Sequence, residues 1–383
     1  MNAQTTFARP ASIGATLTRV AAAGALVAGS LATAGGAQAA GSVPTATTVT
    51  TAVPWSSVTD GWTAAAHRAT GLESWRSSTI HLVSPTGTRY ATAATMPRTD
   101  VIEGVSDDGR RLVTVKRGSG DSATVSVRDL RTGTRTSFSA PSLLDVAFLT
   151  PAGDKLVTIS GNGEADGTSV RAVSPTGGVI KTLHSPSRGD LDTVAALPTP
   201  SGKQVLLSRD GRLRRIDATT GATVFTYARS SSTYTQCTPK RWWNSTTAVT
   251  ACSSGSASTV YLRGNDGSSR RLTTQAGSMK IGWGNAWYHS RGTVGLDLMG
   301  CGPAVPVRIA TGTRITFGTD ADSASLVNIA GGRALALTTG SCGEQTGMSL
   351  VNHDLGTGRY RTVLGGSANG GTVTGAAVVA RNG

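Results

Sequence analysis

Ser84-Pro85-Thr86-Gly87-Thr88 lies between two strand-like runs, and turns of the same kind recur along the chain. They are Arg131-Thr132-Gly133-Thr134, Pro175-Thr176-Gly177-Gly178, Thr219-Thr220-Gly221-Ala222, Asn265-Asp266-Gly267-Ser268, Ala310-Thr311-Gly312-Thr313 and Gly356-Thr357-Gly358-Arg359. From Gly87 to Gly358 the key glycines are spaced by 46, 44, 44, 46, 45 and 46 residues. A period this even marks a repeat architecture. A tight hairpin needs a residue with φ > 0, which glycine reaches without a Cβ clash. Apolar and polar residues alternate on either side, as in Val125, Val127 and Leu130 before one turn and Thr136 and Phe138 after it. Alternation with period two is the pattern of a half-buried strand.

One period holds four strands. In residues 100–140 the first strand is 101–105, followed by the turn Asp107-Asp108-Gly109-Arg110 and a second strand over 111–116. A loop over 118–122 leads to a third strand at 124–129, the Gly133 turn and a fourth strand. The next period copies this plan with Pro151-Ala152-Gly153-Asp154 at its first turn, and the third with Pro200-Ser201-Gly202-Lys203. Units at 234–276 and 279–321 are less regular, with Trp242-Trp243 at a first turn of one and Trp283 and Trp287 in the other. Four short strands per period of about 45 residues are what one propeller blade requires. Low aromatic content, 5%, and 49 glycines suit a turn-rich, strand-rich chain.

The ends complete the plan. Residues 371–380 read as one more inner strand, with Val373, Ala376, Val378 and Val379 apolar. The N-terminal hairpin around Gly87 lacks an inner strand of its own, and 62–74 fits either a short helix or a poor strand. Pairing the C-terminal strand with the N-terminal hairpin completes a first blade and removes two open sheet edges. The expected fold is all-β: a seven-bladed propeller over 78–383, closed in this way, after a leader at 1–39 and a Ser/Thr-rich arm at 40–77.

Ser106-Asp107-Asp108-Gly109-Arg110-Arg111-Leu112-Val113, Thr150-Pro151-Ala152-Gly153-Asp154-Lys155-Leu156-Val157 and Thr199-Pro200-Ser201-Gly202-Lys203-Gln204-Val205 resemble the repeat of TolB-like and WD40-like propellers. Gly267-Ser268-Ser269-Arg270-Arg271-Leu272-Thr273 is similar to that family's blade-ending segment. The Gly-His and Trp-Asp pairs of WD40 repeats are missing, as is an N-terminal domain of the size TolB carries. The resemblance implies a secreted propeller that binds partners and implies no activity.

Arg9 and Arg19 precede an apolar run at 20–31, and Ala37-Gln38-Ala39 follows it. A basic region, an apolar core and an Ala-x-Ala site make a secretory leader, with cleavage expected after Ala39. The core is too short and too rich in Gly and Ala for a membrane anchor. No transmembrane segment is expected to remain after cleavage, and the mature chain is expected to be an extracellular monomer. Four cysteines in an exported chain read as two disulfides. Three pairings exist, of which position in the repeats favours Cys237–Cys252 and Cys301–Cys342. Each would stabilise by about 3–4 kcal/mol.

The net charge of +14 becomes +12 when Arg9 and Arg19 leave with the leader. A local cluster of Arg209, Arg212, Arg214 and Arg215 would serve an acidic envelope polymer or another polyanion, and also fits a solvated hairpin, since no aromatic residues interleave with it. Trp242 and Trp243 could stack on a sugar or anchor a partner; adjacent strand residues face opposite ways, so one of the pair is expected packed and the other partly exposed. No Gly-x-Ser-x-Gly elbow, Ser-x-x-Lys, His-Glu-x-x-His or Cys-x-x-Cys occurs, and His67, His81, His184, His289 and His353 are scattered. We therefore expect no catalytic residues, no metal and no cofactor. The expected function is non-catalytic binding or scaffolding toward a protein or an envelope glycan. The alternative is a propeller lyase or hydrolase acting on extracellular polysaccharide.

Overall fold

The two middle strands of each repeat read as near-continuous apolar runs because both of their faces are buried. Leu112 faces one neighbouring sheet and Val113 the other; Leu156 and Val157 divide in the same way, as do Leu206 and Leu207. Successive strand residues point to opposite faces, so a run such as Arg111-Leu112-Val113-Thr114-Val115 feeds two interfaces at once. In a computed structural model, 52–70, 77–161, 167–185, 195–209, 212–228, 236–254, 257–271, 287–290, 293–296, 323–339 and 348–379 are described. All of them belong to the unit Pro44–Gly383. The leader, the Gly312 turn and the Cys301–Cys342 pair lie outside the described residues.

In chain order the strands are β1 (Thr63–Arg68), β2 (Ser78–Val83) and β3 (Arg89–Met96), then β4 (Asp100–Val105), β5 (Arg111–Arg117), β6 (Ala123–Asp129) and β7 (Arg135–Ser139). Next come β8 (Leu143–Phe148), β9 (Leu156–Gly161), β10 (Thr168–Val173) and β11 (Val179–His184), then β12 (Ala195–Pro198), β13 (Gln204–Arg209), β14 (Arg212–Asp217) and β15 (Thr223–Thr226). The remainder are β16 (Gln236–Asn244), β17 (Thr247–Ser254), β18 (Ala257–Gly264), β19 (Ser269–Arg271), β20 (Trp287–Ser290), β21 (Thr293–Leu296), β22 (Ser323–Ala330), β23 (Arg333–Thr339), β24 (Ser349–Asp354), β25 (Tyr360–Leu364) and β26 (Thr372–Val378). Two single-turn helices, Trp55–Ser57 and Gly366–Asn369, accompany them.

These strands make antiparallel four-stranded sheets ordered β26-β1-β2-β3, β4 to β7, β8 to β11, β12 to β15, β16 to β19 and β22 to β25. The described residues thus form six four-stranded blades, not the seven expected. The expected unit at 279–321 falls mostly outside the described residues, and only the two-stranded sheet β20-β21 is described there. The stretch 40–77, read from sequence as an arm, contributes β1, so the first sheet contains three N-terminal strands and one C-terminal strand. β26 runs antiparallel to β1 from Thr63↔Val378 to Arg68↔Thr372.

Core packing lies between sheets. Ile80 and Leu82 pack with Leu112 and Leu130; Val113 and Val125 pack with Val146 and Leu156. Leu335, Leu350 and Val363 of the last sheet pack with Ala65, Val83 and Val373 of the first. Burying a side chain of this size stabilises by roughly 1.5–3 kcal/mol. One charged pair is buried among the apolar contacts: Arg128 donates to Asp100 at 3.0 Å, and Thr114 also donates to that carboxylate.

The periodic glycines have two tasks. Gly133 has φ +76°, and a Cβ there would stand 2.7 Å from the carbonyl oxygen of Ala93 in the preceding sheet. At Gly177 the equivalent Cβ would meet the Phe138 ring at 2.6 Å, and at Gly267 the Phe225 ring at 2.6 Å. The turn therefore both reverses the chain and seats against the neighbouring outer strand. Cys237 and Cys252 sit directly opposite each other on β16 and β17 and are disulfide-bonded.

Gly133→Ala should lower stability by about 1–3 kcal/mol in urea denaturation. Gly120→Ala, at φ +65° with nothing within 4 Å of its Cβ, should cost only about 1 kcal/mol. Reducing the Cys237–Cys252 bond, which closes a 15-residue separation, should cost about 3 kcal/mol by the same measurement.

Candidate functional site

Five of the inner strands, β4, β8, β16, β22 and β26, share a device. In β4, Ile102 pairs with Thr114 and Gly104 with Val113, so Glu103 is an extra, bulged residue. Leu144 is bulged in β8, Lys240 in β16, Val327 in β22 and Thr374 in β26. A β-bulge leaves one residue unpaired, bends its strand and re-aims a side chain. Composition explains two of them locally: Pro239 has no N–H for the ladder, and Gly104 tolerates the bend.

Three of these bulged residues, Glu103, Lys240 and Val327, line a cavity of about 460 Å³. Its walls come from β4, β8, β12, β16, β22 and β26, together with Leu337 of β23 and residues of the first-hairpin turns such as Pro151 and Pro200. It lies between those strands, at the end where β4, β8 and β12 finish. Asp107 and Arg241 add polar groups to it. Toward the beginnings of β4 and β8, Val101 and Leu144 are large apolar side chains left more than half exposed.

Electrostatics follow from enclosure. Lys240 is reached by solvent but is surrounded closely enough that desolvation lowers its pKa. Desolvation, with a contribution from Asp145, raises the Glu103 carboxyl, and Arg117, 3.9 Å away, opposes the rise. Asp145 is likewise raised by desolvation. Arg117 also donates to the Leu143 carbonyl at 2.8 Å, which links β5 to β8.

The residues singled out in the sequence are dispersed. Trp242 is buried; its indole N–H donates to the Pro198 carbonyl at 2.7 Å, and one side of it lines the channel cavity. Trp243, in a second bulge of β16, is partly exposed. Arg209 pairs across the hairpin with Arg212, and Arg214 lies on the same face; Arg215 lies on the other. Arg215 stacks over Phe225 at 5.8 Å and donates to the Asn265 carbonyl at 2.8 Å, bracing one sheet on the next. Arg209 lies 3.4 Å from the His184 ring. The four arginines therefore do not form one patch.

The first sheet encloses a second titratable group. The Nε2–H of His67 donates to the Gly370 carbonyl at 2.9 Å, and the His81 ring meets it edge-on at 5.7 Å. Burial, with His67 and Arg89, depresses the His81 pKa to about 4. Among the described residues no group of three or more His, Cys, Asp or Glu could hold a metal, and no helix is long and apolar enough to cross a membrane.

No family model matches the chain, and no curated protein matches it. Solved structures do. The β-propeller domain of the trilobed protease from Pyrococcus furiosus, described as having an open velcro topology, is 9% identical with a TM-score of 0.54, over 81% of this chain and 94% of that one. Pyrococcus horikoshii acylaminoacyl peptidase is 11% identical with a TM-score of 0.50, over 79% of this chain and 52% of that one. TolB from Acinetobacter baumannii is 16% identical over 83% of this chain and 66% of that one, with a TM-score of 0.44. The chain spans about half the length of the acylaminoacyl peptidase it matches. At these identities the likeness to the two Pyrococcus proteins carries the fold alone: a β-propeller.

Sequence reasoning missed Glu103, Lys240 and Asp145. The available signals were Pro239 and Gly104 inside strand patterns, which mark bulges.

For His81 the folded pKa, about 4, lies below the ordinary value of 6.5. The unfolded chain then binds protons first as pH falls. Stability should be constant above pH 6.5 and decline by roughly 3 kcal/mol between pH 6.5 and 4. His81→Gln should flatten that part of the stability–pH curve measured by urea denaturation.

Proposed function

We propose that this chain is a secreted, non-catalytic binding or scaffold module that presents one propeller face and its channel mouth to a protein or envelope glycan. The observation that carries the reading is the channel itself. Its wall is largely apolar, two of its four charged residues, Glu103 and Lys240, sit on bulges, and its volume falls in the range of small-molecule sites. Binding is favoured over polysaccharide cleavage by where the histidines lie. Four of the five histidines, His67, His81, His184 and His353, are buried in β1, β2, β11 and β24 and do not line the cavity; the side chain of His289, in β20, lies outside the described residues. Weak polyanion binding through the arginines has less support, since Arg215 turns away from Arg209, Arg212 and Arg214.

We also infer that the ring contains seven units and is closed. Each inner strand neighbours the next in the order β26, β4, β8, β12, β16, β20, β22 and again β26. The join between last and first sheets repeats the ordinary one: Arg361 donates to the Thr86 carbonyl as Thr136 donates to that of Pro175.

The binding reading is tested by affinity capture of envelope proteins and glycans on the mature chain, together with assays on extracellular polysaccharides. Saturable capture without depolymerisation is expected. Turnover of any polysaccharide, abolished by substitution in the channel, would replace this reading with the enzymatic one.

A further inference from the structure

The channel cavity contains two bulged charges of opposite sign, and they differ in what answers them. Glu103 has Arg117 at 3.9 Å. Lys240 has no carboxylate or hydrogen-bond acceptor within reach among the described residues. A strand without the bulge would pair Lys240 with β17; here Pro239 pairs with Thr250 and Arg241 with Val249, and Lys240 is freed from the ladder. Phe148, Leu197, Leu326, Leu337 and Ala376, all apolar, line the same cavity, as does Trp242. Solvent reaches Lys240, but a cation held beside an apolar wall is incompletely solvated, and no described carboxylate pairs with it. Desolvation is the one cause of the lowered Lys240 pKa.

We propose that the channel cavity binds an organic anion, a molecule with an apolar body and a terminal carboxylate or sulfonate, whose charge pairs with Lys240. This deepens the binding reading above and rests on it. The apolar walls take the body of the ligand, and the ammonium supplies a charge-assisted hydrogen bond at one end. Arg241, on the adjacent position, adds positive potential, and Glu103 sets the side of the cavity that the anionic end avoids. A cavity of about 460 Å³ limits the ligand to a small molecule or the end of a chain.

Two probes of nearly the same shape separate charge from apolarity: 8-anilinonaphthalene-1-sulfonate and the uncharged N-phenyl-1-naphthylamine. Each is titrated by fluorescence and calorimetry into the mature chain and its variants. Saturable binding of one sulfonate per chain is expected. Lys240→Met should weaken it at least tenfold and leave the neutral probe unchanged, and Lys240→Arg should restore it. Glu103→Gln should tighten it two- to threefold with the neutral probe unchanged and the urea midpoint at the wild-type value, because partial unfolding would raise the binding of both dyes. Equal sulfonate affinity in wild type and Lys240→Met, or no saturable sulfonate binding at all, would overturn the proposal. If that happens while the mature chain still captures an envelope partner, the anion site alone falls and the binding reading stands.

Discussion

Backbone hydrogen bonds between β26 and β1 join the two ends of the described chain, and the first sheet depends on them. Without β26 that sheet would leave β1 as an open inner edge, a template for pairing with other chains. The pairing has side-chain support from both ends. His67 reaches the Gly370 carbonyl beside β26, and Val373 packs in the cluster that holds Ala65, Val83, Leu350 and Val363. Loss of this pairing would expose the apolar faces of two sheets together, because Ala64 and Ala66 pack toward the second sheet while Ala65 packs toward the last. Buried residues on both faces of β1 make its docking cooperative with the blades beside it.

The same two-sidedness explains the channel. Middle strands are held rigidly from both faces, and outer strands such as β7 and β19 are largely exposed. The inner strands have neighbours that converge, and each one whose pairing extends far enough inserts an extra residue. Bulging admits charged side chains to a largely apolar cavity without breaking the blade behind them. Glu103 and Lys240 can therefore face the cavity while Leu112, Val113 and Val249 keep their core positions. The function proposed for the channel follows from that division: rigid blades position a few charges against an apolar wall.

Much of the architecture was legible because it is enforced by backbone chemistry that only a few residues satisfy. Gly87, Gly133, Gly177, Gly221, Gly267 and Gly358 all have positive φ, as the hairpin reading required. The Cys237–Cys252 pair and the inner position of 372–378 were readable from their places in the repeat. β1 was not, because Thr63-Ala64-Ala65-Ala66-His67-Arg68 has neither β-branched nor alternating character; its small side chains suit the crowded space between two sheets rather than strand propensity. Nor was the blade count, since the unit at 279–321 departs from the repeat and only β20 and β21 are described in it. The site was least legible. Bulges shift register by one residue, so the side chains that reach the channel are those a strict alternation would assign elsewhere.

Native-state hydrogen exchange of the mature chain, resolved by residue over β1 and β26, tests the end-to-end pairing most directly. If the two strands are joined as described, amides of both should exchange together and as slowly as those of β5 and β6. Exchange of β26 at the rate of an unstructured peptide, with β5 and β6 still protected, would contradict it.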